Sequence, residues 1–512
     1  MNGAIWRSLL WKEWREHRWK LAALVVVVIG LHLWVLDATK PGTAHYANAF
    51  WATLLIVLPI GSAFIAMGLA AGEQSQRTAS FMRSSPVNLS WLAIAKLAVG
   101  VATIAATIAI AAALTRTVVA VADALSWQSD ASSLESLDSL RDLYETGGWF
   151  LTALLIGVSV SASLILWMAA PAVNSKSEVR AGAIGLIVVV ACWTLLAWGV
   201  YLVNRGMDPN SDQRVVIAHI AAMLPGGVWV ALIALDGLAG QTYLLFPYLA
   251  THVPLAWWYI TRFGHNGDRE RARLSDATPL VAPTPVWLGP ARRSPLTSLL
   301  WKHARECAPI VLAGAIGAAG LTVILVCLNY NQPGVLYVPN KLLDLTGESV
   351  LVAFMTLGCC AGLVSGAGVL TSELEPRLYT FWRTRPIPID LWFAIAFLGG
   401  LALLIVVFGV PIAVAYRLIE PSDRQSEPGL STLLAIVVLS YVSGAFTASF
   451  VRNAVYASLL GLGVMAIAFA SVISEWIAIP EAWHGVATLA VSALLGVAAW
   501  VCVRNDWSLR LS

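Results

Sequence analysis

The chain has 512 residues, 58% of them hydrophobic and 12% charged, with a formal net charge of +3. A soluble domain is about 45–50% apolar and about 25% charged. The balance here excludes a disordered chain, a disulfide mini-protein and almost any water-soluble enzyme, and it points to an all-α polytopic membrane protein. Three surplus positive charges are too few to suggest nucleic acid, whereas 23 tryptophans suit the membrane–water interface.

The first twenty residues hold Arg7, Lys12, Arg15, Arg18 and Lys20 beside Glu13 and Glu16, with no small-residue cleavage site after the apolar run that follows. They read as a retained segment, not a cleavable signal. In 5–20, Ile5, Trp6, Leu9, Leu10 and Trp14 recur at helical spacing, with Lys12, Glu13, Arg15, Glu16 and Arg18 between them. This pattern predicts an amphipathic helix lying in the headgroup layer before the chain turns into the bilayer.

Crossing about 30 Å of hydrocarbon takes roughly 20 apolar residues. Twelve stretches qualify: 21–36, 49–71, 91–114, 148–170, 181–203, 241–262, 308–328, 349–370, 391–416, 430–450, 454–472 and 485–503. A thirteenth, 215–238, is interrupted by Pro225-Gly226-Gly227. With twelve crossings and a cytoplasmic N-terminus, only eight of the 32 Lys and Arg fall outside, as the positive-inside rule requires. Residues 215–238 therefore read as a re-entrant or interfacial segment, and both termini as cytoplasmic. The outer loop 115–147 is acidic, with Leu134, Leu137, Leu140 and Leu143 at helical spacing. Lys96 lies near the inner end of its span, where a lysine can snorkel. The six cysteines, mostly within apolar runs, read as small buried hydrophobes.

The chain also repeats itself. Ser8-Leu9-Leu10-Trp11-Lys12 recurs as Ser298-Leu299-Leu300-Trp301-Lys302, and Arg15 and Glu16 recur as Arg305 and Glu306, all at an offset of 290. At an offset of 300, Glu73, Arg77, Phe81, Arg83 and Pro86 match Glu373, Arg377, Phe381, Arg383 and Pro386. The first word precedes the first span of each half, and the second lies between spans two and three. Each half has an even number of spans, so the repeats are parallel. This divides the chain into a six-span module at 1–263, a Pro- and Arg-rich cytoplasmic linker at 264–295, and a second six-span module at 296–512. Glu and Arg at i, i+4 on a helix add only about 0.2–0.5 kcal/mol, too little to explain the second word by stability. An ion pair, an aromatic knob and a terminating proline suit docking to a soluble partner.

These residues resemble those of ABC-2 type ABC transporter permeases. In that family a Glu-rich, Arg-Thr-containing stretch leads to Ser-x-Pro between spans two and three, and an amphipathic elbow helix precedes each six-span module. Glu73 to Val87 and Glu373 to Ile387, which includes Arg385, look like that stretch. Trp11, Lys12, Arg15 and Glu16, with Trp301, Lys302, Arg305 and Glu306, fall on the elbows. The resemblance implies a permease in a bacterial cytoplasmic (inner) membrane. It implies coupling helices that dock an ATP-binding subunit, in two copies, which holds the ATP and magnesium. It also implies export of a substrate, for which apolar spans suggest lipophilic cargo. The second copy departs from the pattern at Pro376 and Leu378.

No G-x-x-x-x-G-K-[ST], H-E-x-x-H or G-x-S-x-G occurs, so the chain carries none of those signatures of an enzyme, nucleotide site or metal site. No acidic residue lies near the centre of a predicted span, where ion-driven carriers bury them. Isolated histidines such as His32, His252 and His303 read as satisfied packing residues. Two rival readings stand beside the exporter: a membrane subunit that transmits force to an extracytoplasmic event without translocation, and a secondary carrier with parallel repeats.

Overall fold

The computed structural model describes residues 3–38, 53–75, 88–124, 149–175, 178–204, 211–228, 244–265, 295–330, 339–371, 388–419, 429–451, 453–473 and 483–507, with single positions at 50, 374, 479 and 480. These residues form helices throughout. They are α1 (Gly3–Ala38), α2 (Leu58–Ser75, entered through a π-turn at Thr53–Val57), α3 (Leu89–Ala124), α4 (Trp149–Ala172), α5 (Glu178–Asn204), α6 (Ser211–Met223) and α7 (Leu245–Arg262). The second half holds α8 (Pro295–Tyr330), α9 (Pro339–Thr371), α10 (Ile389–Leu404), α11 (Val410–Leu418), α12 (Leu430–Phe450), α13 (Ala454–Ile473) and α14 (His484–Arg504). A π-turn at Ile405–Gly409 joins α10 to α11, just before Pro411, which lacks the N–H that would continue a regular α-ladder.

Every described residue of the twelve apolar stretches is helical. Among the described residues, eight helices are long and apolar enough to cross a membrane, and Leu58–Ala71 and Ala454–Phe469 form shorter apolar helices. The chain is thus an all-α membrane-spanning bundle.

With α10 and α11 counted as one helix, the first helix within each half packs on the third (α1 on α3, α8 on α10), the second on the fourth (α2 on α4, α9 on α12) and the fourth on the last (α4 on α7, α12 on α14). Between the halves, α1 packs on α13 and α8 packs on α5. Small residues permit these contacts: Gly463 faces Val26 and Val27, while Gly320 meets Val190 and its carbonyl accepts from Thr194 Oγ1 at 3.4 Å. The α9–α12 contact brings the two backbones together. Gly362 and Gly366, a small-x-x-x-small pair, abut Ser440 and the Tyr441 backbone, and Gly444 abuts the Leu363 carbonyl.

Helices α4 and α7 run parallel. Tyr248 Oη donates to the Ser159 carbonyl at 2.9 Å, Ser163 Oγ and His252 Nε2 are 2.6 Å apart, and Asn174 Nδ2 donates to the Arg262 carbonyl at 2.6 Å. Since α5 crosses between them, α6 does not carry the chain across. It stops at Met223 and folds back at Pro225-Gly226-Gly227. Gly226 takes a φ of 72°, open to glycine without strain. Trp193 Nε1 donates to the Pro225 carbonyl at 2.9 Å, and the Gly226 N–H donates to Ser163 Oγ at 2.9 Å. Trp193 lies eleven residues, about 16 Å of helix, inside the Asn204 end of α5. The tip therefore dips into the bundle and finds its backbone partners there, which is re-entrant geometry.

The expected elbow geometry needs correction. Gly3–Ala38 is one uninterrupted helix of 36 residues, and so is Pro295–Tyr330. The repeated first word runs straight into the apolar stretch with no turn. Part of the physical reason is visible in α1, where Lys12, Glu13 and Lys20 are held against neighbouring helices while Arg15 and Arg18 stay exposed.

Candidate functional site

Helical spacing puts Leu9, Glu13, His17, Lys20 and Leu24 on one stripe of α1, and all five are buried. Trp11, Trp14, Arg15 and Arg18 fall on the opposite, exposed side. Sequence reading placed Glu13 on a water-facing side, but it is 0% exposed. Lys96, expected to snorkel, is 3% exposed and sits among carboxylates. It cannot reach water because α1 and the end of α2 close over the start of α3.

The result is a closed ring of alternating charge. Lys96 Nζ donates to Glu13 Oε2 at 3.0 Å and lies 3.0 Å from Glu73 Oε1. Lys12 Nζ donates to Glu73 Oε1 at 2.9 Å and to Glu13 Oε1 at 3.3 Å. Glu16 flanks both lysines, at 3.5 Å from Lys12 and 3.7 Å from Lys96. Three carboxylates and two ammonium groups leave one net negative charge. The carboxylate oxygens of Glu13, Glu16 and Glu73 lie within 4.8 Å of one another, a spacing suited to a divalent cation, but here the lysines supply the positive charge. Isolated buried ions cost several kcal/mol each, so only mutual pairing makes this burial tolerable.

A second layer extends the ring. Thr103 Oγ1 lies 3.3 Å from His17 Nδ1. Burial, with the Lys20 and Lys96 ammonium groups, holds His17 well below the usual histidine range. Burial also lowers Lys20, against the pull of the Glu178 carboxylate. Desolvation opposes the charge of Lys12 too, but the surrounding glutamates raise it above the ordinary lysine value. Tyr456, in the first turn of α13, donates its hydroxyl to the Glu16 carbonyl and lies beneath Lys20, 5.8 Å from ring centre to Nζ. The ring thus joins α1, α2 and α3, and Tyr456 of the second half reaches its edge.

The same end of the bundle is pinned by Asn174, in the left-handed region at φ 66°. Its N–H donates to the Ala70 carbonyl at 3.0 Å, Nδ2 to the Arg262 carbonyl at 2.6 Å, and Oδ1 accepts from Gly264 at 2.7 Å. Tyr259 Oη donates to the Leu69 carbonyl at 2.9 Å. The last turns of α2, α4 and α7 are therefore fixed beside the ring.

Of the sequence-predicted site residues, Glu73 is the one docking residue the structure describes. Its carboxylate faces inward to Lys12 and Lys96. Arg77, Phe81, Arg83, Pro86, Glu373, Arg377, Phe381, Arg383, Arg385 and Pro386 lie outside the described residues, as does most of the acidic loop 115–147. Lys12 and Glu16 belong to the ring, while Trp11 and Arg15 are exposed. On α8, Trp301 and Arg305 are exposed, and Lys302 pairs with Glu306 at 3.9 Å. His303, at the position corresponding to Glu13, is 1% exposed, and neither ring nitrogen has a hydrogen-bond partner among the described residues. It is buried but unsatisfied, unlike His252, which is held by Ser163 and the Tyr248 carbonyl. Sequence reasoning missed Glu13 and Lys96 as partners. The available signal was that Glu13, with Trp14, breaks an otherwise repeated word, and that Lys96 is a cation at the edge of an apolar span.

Comparison with protein-family models, with curated proteins and with solved structures returned no match.

Proposed function

We propose that this chain is the membrane permease subunit of an ATP-driven exporter of the ABC-2 type, made of two six-span modules and powered by a separate ATP-binding subunit. The observation that carries the reading is the crossed packing of the halves. The first helix of each half lies on the fifth of the other, α1 on α13 and α8 on α5. A two-fold axis along the bundle would produce that pairing, and in the sequence the repeated words stand at matching places in the two halves.

In this reading, modules 1–263 and 296–512 are joined by the linker 264–295, and the ring end of the bundle faces the cytoplasm. The loops 73–87 and 373–387 dock two copies of the ATPase, which binds ATP and magnesium; this chain binds neither. Glu73 roots the first loop in the charge ring, so a pull on that loop reaches α1 and α3 through Lys12 and Lys96. The modules then rock between two states with different contacts at the crossed interfaces. The buried charges described lie at one end of the bundle, not at mid-membrane where ion-coupled carriers hold them, and this favours an ATP-driven device over a secondary carrier.

The test is co-purification with the ATPase encoded beside this chain. Charge reversal at Arg77→Glu with Arg377→Glu is expected to abolish complex formation and stimulated ATP turnover while leaving the chain folded. Unchanged complex and turnover would overturn the reading.

A further inference from the structure

We infer that three arginine–tryptophan pairs at the ring end of the bundle bind the phosphate of anionic phospholipids. The guanidinium of Arg18 lies 5.5 Å from the Trp19 ring, that of Arg262 lies 4.5 Å from Trp258, and that of Arg504 lies 5.1 Å from Trp500. All three arginines are exposed. Among the described residues, no carboxylate lies within ion-pair distance of Arg262 or Arg504.

The pairs share one level. Lys20, two residues from Arg18, lies against Gly68 of α2. Asn174 ties Ala70 of the same helix to Arg262. Trp500 Nε1 donates to Asp390 Oδ1 at 2.8 Å, in the first turn of α10. Tyr456, which touches Glu16, packs on the core that contains Val503, beside Arg504.

The occupant is set by what lies along each helix from its cation. On α14, Val497 continues the face of Arg504 as bare apolar surface, 57% exposed, and on α1 Ile29 continues that of Arg18. On α7 the exposed apolar surface on the face of Arg262 is Trp258 itself, whereas Val253 and Trp257 lie on the opposite side. A cation stacked on an indole at the end of an apolar stripe complements a molecule with an anionic head and a hydrocarbon tail. A free anion would use only the cap. The tryptophan holds the guanidinium over its face, so less side-chain freedom is lost when a phosphate arrives. This inference does not depend on the transporter reading.

Full-length protein in mild detergent is titrated with phosphatidylglycerol, phosphatidylcholine or inorganic phosphate, followed by tryptophan emission and by thermal unfolding. Phosphatidylglycerol is expected to bind more tightly than phosphatidylcholine, with about fivefold of the preference lost for each arginine removed. The variant Arg18→Gln/Arg262→Gln/Arg504→Gln should then bind both lipids alike. Should that variant fail to fold, Arg262→Gln and Trp258→Leu singly are each expected to lower the preference. Equal binding of the two lipids by the natural chain, or an unaltered preference in folded variants, overturns the inference. Displacement of phosphatidylglycerol by inorganic phosphate also overturns it, in favour of a free-anion site.

Discussion

The two halves carry the same words and hold themselves together differently. In the first, Lys12, Glu13, Glu73 and Lys96 close an ionic ring whose Glu13 and Lys96 are buried and whose Lys12 reaches the surface. In the second, Lys302, Glu306 and Glu373 keep their places in the sequence, but His303 stands where Glu13 would be and Ala396 where Lys96 would be. What remains described is a half-exposed Lys302–Glu306 pair at 3.9 Å. The second half instead brings α9 and α12 into backbone contact through Gly362, Gly366 and Gly444, whereas the first has Ser62 and Ala66 at the first two of these positions. Two halves with the same words can therefore differ in using an electrostatic clamp in one and a steric one in the other.

The comparison breaks most visibly at Lys96. Lys96→Ala leaves Glu13 and Glu73 buried with one ammonium group between them and is expected to cost about 3–5 kcal/mol. Lys302→Ala removes an exposed pair worth at most about 1 kcal/mol. Apparent Tm of the full chain in detergent measures both, and equal losses would refute the contrast. Adding Glu13→His to Lys96→Ala copies the second half into the first, and should recover part of the loss.

Gly366→Ala tests the steric side. Its new methyl would overlap the Tyr441 carbonyl, and overpacking of this kind costs about 1–3 kcal/mol. Ala66 already fills the corresponding position, so Ala66→Gly should cost no more than about 1 kcal/mol, the helix-propensity difference.

The smallest effect is the titration of His17. Its pKa is depressed in the folded chain, so the unfolded chain takes up the proton first. Stability is full above the ordinary histidine value of about 6.5 and falls as pH drops below it, by at most about 1.4 kcal/mol per pH unit. His17→Gln should flatten the fall of apparent Tm between pH 7.5 and 5.5 relative to the natural chain. An unchanged slope would remove His17 from the account.

Much of the fold was legible in the residues. Runs of apolar side chains located helices, eight of which among the described residues are long and apolar enough to cross a membrane, because a bilayer demands length and apolarity and little else. Pro225-Gly226-Gly227 foretold the break after α6, since neither a proline nor a glycine pair continues a helix. The ring was not legible. Glu13 and Lys96 are 83 residues apart, and periodicity along α1 fixes which residues share a face but not which face turns inward. With Trp11 and Trp14 opposite the glutamates, the tryptophans looked like the side to bury. The pairing of Glu73 with Arg77 suggested by their spacing is a local inference, and the long-range lysines compete for the same carboxylate.

Asn174 has one more consequence. By fastening Arg262 and Gly264 to the Ala70 carbonyl, it delivers the start of segment 264–295 to the last part of α2. Whatever is threaded onto the chain at that exit, a fluorophore or an added domain, starts out beside the end of α2 and inherits its address.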